Sequence, residues 1–166
     1  MRSTITTLLL AAALPCQAAF TTFGSGCSLQ SQTPAIGNNG LPQIGQTFSI
    51  TYTGPNYLFS SAQQMAQPFL ALGTQPLFLT IPAGLLIYQP AGCVAYLEPL
   101  SLTPMAPDPI LPSYVASYAI AVPNDAGLIG FQFLAQWLLV HSQCGFAGCG
   151  LSGLITSDAA TITVGL

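Results

Sequence analysis

The chain has almost no positive charge. Among its 166 residues Lys and Arg together number 1, and that cation is Arg2. Histidine and tryptophan are equally scarce, present only as His141 and Trp137. The missing cations exclude whole classes of function. Nucleic-acid binding draws its affinity from Lys and Arg that displace counterions from phosphates. Phosphoryl transfer and anionic-substrate recognition use Arg or Lys clamps. Anionic membrane surfaces attract basic patches. None of these can be assembled here. Disorder is excluded from the other side. Disordered chains combine low hydrophobicity with high net charge, whereas 51% of this chain is hydrophobic and 3% is charged.

A long apolar run is also lacking. The longest stretch, Leu128 to Val140, is interrupted by Gly130, Gln132 and Gln136, so no stop-transfer helix is expected. The run from Ile5 to Leu14 is shorter still. It follows Arg2 and ends at Pro15, and Cys16-Gln17-Ala18 places small residues where a signal peptidase reads. Residues 1–18 are therefore read as a secretory signal peptide, cleaved between Ala18 and Ala19. Cys16 does not sit in a lipobox, because Ala13 and Pro15 occupy its key places. No sorting tail is read before Leu166. Residues 19–166 are expected to be a single secreted domain, extracellular or periplasmic, with no membrane association after cleavage. With Arg2 removed, Glu98, Asp108, Asp125 and Asp158 are the only charged side chains left. Such a surface is covered by Ser, Thr, Gln and Asn and gains little from charge repulsion, which favours self-association or adhesion.

What is present is punctuation and alternation. Gly and Pro recur every eight to twelve residues, and short β-rich runs lie between them. Phe48, Ile50 and Tyr52 alternate with polar residues over Gln46 to Thr53, the period of a strand with one buried face. Tyr114 to Val122 repeats that pattern. Phe131, Phe133, Ala135, Trp137 and Leu139 line one face of the next run, and Leu134, Leu138 and Val140 stand with Gln132 and Gln136 on the other, which predicts a central strand covered on most of both faces. Weaker strands are predicted at Phe69–Leu72, Leu77–Ile81, Leu85–Tyr88, Val94–Glu98, Leu151–Thr156 and Ala160–Val164. Ser60 to Gln67 reads as one or two helical turns. Pro104 to Pro112 reads as an extended surface loop, since proline lacks the ladder donor. Asn38-Asn39-Gly40 and Pro123-Asn124-Asp125-Ala126-Gly127 are turn signals. About eight short strands predict an all-β fold, an antiparallel β-sandwich of immunoglobulin-like or jelly-roll type, with a barrel as the other architecture.

Cys27, Cys93, Cys144 and Cys149 form an even set in an oxidising compartment, so two disulfides are expected. Three connectivities are possible. Cys27 with Cys93 and Cys144 with Cys149 is favoured, because the glycines of Gly145-Phe146-Ala147-Gly148 permit a tight ring. Chain entropy assigns the long loop roughly 4 kcal/mol and the short ring roughly 2 kcal/mol. His141, Cys144 and Cys149 also form H-x2-C-x4-C. A zinc site needs a fourth ligand or an open water position, and no second histidine exists, so no metal is assigned. A catalytic thiolate needs an electropositive setting that the chain cannot supply. A hydrolase centred on His141 lacks any G-x-S-x-G elbow. His141 is read instead as a strand-end residue hydrogen-bonded at a loop. Glu98 and Asp108 could pair for glycoside hydrolysis, but are read as solvated loop carboxylates. The only calcium position on offer is a loop site using Asp108 or Asp125 with carbonyls. No catalytic residue, cofactor or metal is assigned. Trp137 and the tyrosines read as core, with Tyr57 and Tyr88 near turns and available to the surface.

FGSGC at Phe23 to Cys27, Thr33-Pro34, LPQIGQTFSI at Leu41 to Ile50, PAGC at Pro90 to Cys93, VPND at Val122 to Asp125 and GFQFLAQW at Gly130 to Trp137 follow one another in order. Together they resemble a group of secreted, uncharacterised FGxGC-motif β-domain proteins of planctomycete-like and myxobacterium-like bacteria. The resemblance covers most of residues 19–166. It implies the Cys27–Cys93 pairing, an added local pair at Cys144 and Cys149, and no particular activity. The function expected is a non-catalytic structural, adhesive or envelope-associated module. Its partner would be a second copy or a surface polysaccharide, and the alternative is a carbohydrate-binding module.

Overall fold

The computed structural model describes residues 16–28, 33–55, 64–86, 89–105, 113–145 and 148–166. These form ten strands and a single 3-10 turn. The strands are β1 (Ala19–Phe23), β2 (Ala35–Asn39), β3 (Thr47–Pro55), β4 (Gln64–Gly73), β5 (Gln75–Thr80), β6 (Val94–Glu98), β7 (Ser101–Pro104), β8 (Ser113–Ala121), β9 (Gln132–Gly145) and β10 (Gly148–Thr163). A five-stranded sheet runs β1-β10-β9-β4-β7. A three-stranded sheet runs β2-β3-β8, and β5 and β6 form a two-stranded ribbon. Every strand pairing is antiparallel.

Period-two alternation explains the sandwich. In β3 the side chains of Phe48, Ile50 and Tyr52 are buried, while Thr47 and Thr53 face water. Those three pack with Ile36 of β2 and Ala116 of β8 against Leu70, Trp137, Ala160 and Ile162 of the larger sheet. Each such side chain contributes about 1.5–3 kcal/mol by leaving water. Trp137 is fully buried, meets Tyr52 edge-to-face at 5.7 Å, and donates its indole N–H to the Thr51 carbonyl at 3.0 Å. That bond ties the two sheets across the core.

β9 lies between β10 and β4 and is buried on both faces, through Ala135, Trp137 and Leu139 on one and Leu134 and Gln136 on the other. The two runs expected at Leu151–Thr156 and Ala160–Val164 are a single strand, β10. Its pairing with β9 shifts between Thr156 and Ala159. The residues at that bulge are polar, and the side chains of both accept main-chain amides. Ser157 Oγ accepts from the Trp137 amide at 3.0 Å, and Asp158 Oδ1 accepts from the Ile36 amide of β2 at 2.8 Å. Bulges of this kind re-aim side chains, and here one carboxylate is turned onto the neighbouring sheet.

Three expectations are corrected. Gln64 to Gln67, read as the end of a helical turn, belong to β4, because a ten-residue ladder with β9 outweighs their helical propensity; Ser60 to Gln63 lie outside the described residues. Leu85 and Leu86, read as the start of a strand, sit in a turn closed by the Leu85 amide on the Pro82 carbonyl, with Gly84 at φ 75°; Ile87 and Tyr88 lie outside the described residues. Pro104, read as loop, ends β7 opposite Phe69. It is tolerated there because β7 is an edge strand; the rest of that predicted loop, from Ala106 to Pro112, lies outside the described residues.

Candidate interaction surface

The β5–β6 ribbon lies on the larger sheet, and one buried side chain docks it. Gln136 of β9 accepts from the Tyr96 amide through Oε1 at 3.0 Å. Its Nε2 donates to the Val94 carbonyl at 2.8 Å and to the Ser157 carbonyl at 2.9 Å. A primary amide has both a donor and an acceptor end, so a single residue satisfies an amide and a carbonyl on one edge of β6 and a carbonyl in the bulge of β10. Leu97 of β6 completes the seat by packing against Ala71 and Leu134.

The other attachment is covalent. Cys27 and Cys93 are joined, with Cα atoms 4.7 Å apart. The bridge packs with Ile81, Leu139 and Ile155, and Thr156 donates its amide to Cys27 Sγ at 3.2 Å. The FGSGC loop wraps around Tyr96. Phe23 meets that ring edge-to-face at 5.6 Å, and the tyrosine hydroxyl accepts from the Ser25 amide at 2.9 Å. Gly24 has φ 72° and runs so close to the Tyr96 ring that a Cβ would overlap it, so glycine is required there on both counts. The two cysteine motifs of the sequence thus meet at one place, the base of the ribbon.

The outer surface of the ribbon is apolar. All six residues of β5, Gln75 to Thr80, are exposed. Phe78 is 70% exposed and Leu79 56%. Leu77 and Phe78 fall between the paired positions Pro76 and Leu79, where the register with β6 shifts. Leu100 and Leu102, just after β6, are also exposed. Isolated exposed leucines are ordinary, but consecutive apolar residues on a strand with exposed sides mark an interaction surface. Among the described residues β5 pairs only with β6.

Beside the ribbon a groove of about 350 Å³ opens between β1, β9 and β10. Phe23, Thr74, Pro76, Gln132, Phe133, Leu134 and Thr161 line it.

The residues singled out in the sequence are dispersed. His141 is not at a strand end, because β9 continues to Gly145. It is fully buried, opposite Ala66 and Gly153, and its carbonyl accepts from Ser152 Oγ at 3.1 Å. The run expected to end near Val140 is extended by the hairpin with β10. Glu98 ends β6 and is exposed. Asp125 caps the turn Ala126–Leu128 by accepting from the Gly127 amide at 2.8 Å, so its carboxylate is used in local structure. Asp108, Tyr57 and Tyr88 lie outside the described residues. The β9–β10 register sets Cys144 opposite Cys149, but their side chains, and with them the second bridge, lie outside the described residues. Among the described residues no three His, Cys, Asp or Glu side chains gather into a metal-binding group.

A buried histidine and a half-buried aspartate give the fold opposing pH responses. Burial holds His141 below the ordinary histidine range. Its contribution to stability is full above the unfolded pKa and is lost as pH falls. Burial pushes Asp158 above the ordinary aspartate range, against the Ile36 hydrogen bond that favours its ionised form. Its contribution is full below the unfolded pKa and is lost as pH rises through the folded value. Asp158→Asn keeps an acceptor for Ile36 and removes that loss. Thermal melts between about pH 4 and about pH 8 should show Asp158→Asn gaining on the parent protein toward neutral pH. His141→Gln should flatten the acid limb.

Sequence reasoning missed Gln136 and Asp158, since an amide and a carboxylate look like surface residues until their main-chain partners are placed beside them. Period two did carry a signal for Gln136, which stands between Leu134 and Leu138 on one face of β9. No family model matches the chain, and no curated protein matches it.

Proposed function

We propose that the chain is a non-catalytic extracellular module that associates with a second copy of itself through the β5 strip. The observation that carries this reading is Phe78, 70% exposed between Leu77 and Leu79 on a strand exposed along its whole length. Charge favours a second copy as the occupant. The described residues contain no Lys or Arg, and the ribbon's only charged side chain is Glu98, so the strip offers nothing to select an oppositely charged partner. A two-fold contact lays the same apolar strip on itself without desolvating an ion pair. Strand-on-strand pairing adds main-chain hydrogen bonds that a non-peptide ligand lacks. Secretion fits the same reading. The Cys27–Cys93 bridge suits an oxidising compartment, and β1 begins at Ala19, the residue that cleavage after Ala18 would make the new N-terminus.

Sedimentation velocity over a concentration series tests the proposal, with the intact mass of the same exported preparation reading the chain start. The parent protein should pass from monomer to dimer with Kd in the range of about 1–100 μM. Phe78→Ser should stay monomeric with a modest fall in melting temperature, since the ring gives up its edge-to-face contact with Tyr96 at 6.1 Å, an interaction of about 0.5–1.5 kcal/mol. A parent protein that is monomeric throughout the series would end the reading.

A further inference from the structure

The groove beside the ribbon shares little with the self-association strip, and its lining has a chemistry of its own. Cross-strand neighbours share a sheet face. Thr21 of β1 stands opposite Thr161 of β10, and Thr161 opposite Leu134 of β9. Gln132 stands opposite Thr163 on the same face and donates to its hydroxyl at 3.1 Å. The floor is therefore one buried leucine set among hydroxyls and an amide. Phe23 forms an aromatic wall at one side, with its ring held by Tyr96, and Thr74 and Pro76 close the opposite side.

We propose that this groove binds one uncharged pyranose ring. The volume lies within the range of small-ligand sites, and such sites join an apolar lining to a few polar groups. An aromatic wall offers a flat apolar partner to the C–H face of a sugar. Thr161, Thr74 and Gln132 offer both donors and acceptors, which is what a ring carrying hydroxyls requires. Charge narrows the class. No cation lines the groove to pair with a carboxylate, sulfate or phosphate, and Glu98 pairs in register with Gln75, between Thr74 and Pro76. Anionic sugars are thereby disfavoured, and neutral ones are not.

The test is amide chemical-shift titration of the disulfide-bonded protein with neutral methyl glycosides of glucose, galactose, mannose and N-acetylglucosamine. Glucuronate and cyclohexanol serve as comparison probes. The Phe78→Ser protein is titrated beside the parent, so that a failure of self-association and a failure of sugar binding are read separately. At least one neutral glycoside should shift the amides of Gln132, Leu134 and Thr161 saturably with Kd of about 1–10 mM, and bind at least about tenfold more tightly than glucuronate or cyclohexanol. Gln132→Ala and Thr161→Val, at half-buried or exposed positions, should each weaken it by about fivefold while the fold is kept. Cyclohexanol binding as well as the best glycoside would overturn the proposal, as would no neutral glycoside shifting these amides.

Discussion

Replacing Cys27 and Cys93 by serine is expected to lower the unfolding free energy by about 4 kcal/mol. The bridge closes a loop with a sequence separation of 66. Chain entropy assigns a loop of that length about 4 kcal/mol. For a domain near 150 residues this is a fall in melting temperature of about 8–16 °C. Two local effects add to the loss. The sulfurs pack with Ile81, Leu139 and Ile155, so two smaller, polar hydroxyls would enter an apolar cluster. Thr156 would also lose the sulfur that accepts its amide. Calorimetry of the parent and the double variant measures the sum. A fall of less than about 2 kcal/mol would mean that the unbridged unfolded chain keeps residual structure that already brings the segments around Cys27 and Cys93 together. Reduction of the parent protein should lower its melting temperature at least as far as the double variant's, since it opens the same long loop.

The strands carrying an alternating code were legible in the sequence. β3 and β8 have one buried face each, and Phe48, Ile50 and Tyr52 were readable as core because every second residue is polar. The two-sided burial of β9 was equally plain from its apolar content. The Cys27–Cys93 pairing was one of three connectivities on arithmetic alone, and was favoured by the motifs around each cysteine. Short edge strands were not legible. β1, β2 and β7 have five, five and four residues, and their hydrogen-bonding partners supply the order that their own sequences do not. AFTTF becomes a strand because β10 offers a ladder from Ala159 to Thr163. The fate of Gln64 to Gln67 follows the same logic, since tertiary pairing overrides a helical preference in so short a segment. The exposed apolar strip of β5 was legible only in composition. Leu77 to Ile81 reads as a strand, and nothing local shows that one side of β5 lacks a covering element among the described residues. His141 was misplaced at a strand end for a related reason. Polar Ser142 and Gln143 look like the start of a loop, whereas the β9–β10 hairpin carries them into the ladder.

The docking of the ribbon leads to the second large effect. Gln136→Leu is expected to cost about 3–5 kcal/mol, although leucine matches glutamine in bulk and raises the apolar content of the site. Three main-chain groups lose their partner: the Tyr96 amide and the Val94 and Ser157 carbonyls. Each buried group left unsatisfied costs about 1–3 kcal/mol, partly relieved where water can enter. Gln136→Glu separates the two ends of the amide. An ionised glutamate still accepts from Tyr96 but cannot donate to Val94 or Ser157, and its charge is buried without a cation in reach. It should therefore be less stable than the leucine variant at neutral pH and recover as pH falls and the carboxyl gains a proton that can be donated. Melting curves of the three proteins at neutral and acidic pH check the order. Equal losses for both variants at every pH would show that burial of bulk, not the paired amide, seats β6. Hydrogen exchange gives the local reading. In Gln136→Leu the amides of β6 should exchange faster while those of β3 and β8 hold, because the sandwich core on the other face of β9 keeps its own contacts. Self-association should weaken in the same variant, since a ribbon released from β9 no longer holds Phe78 in one place. One buried amide would thus connect the stability of the sheet to the surface proposed to bind a second copy.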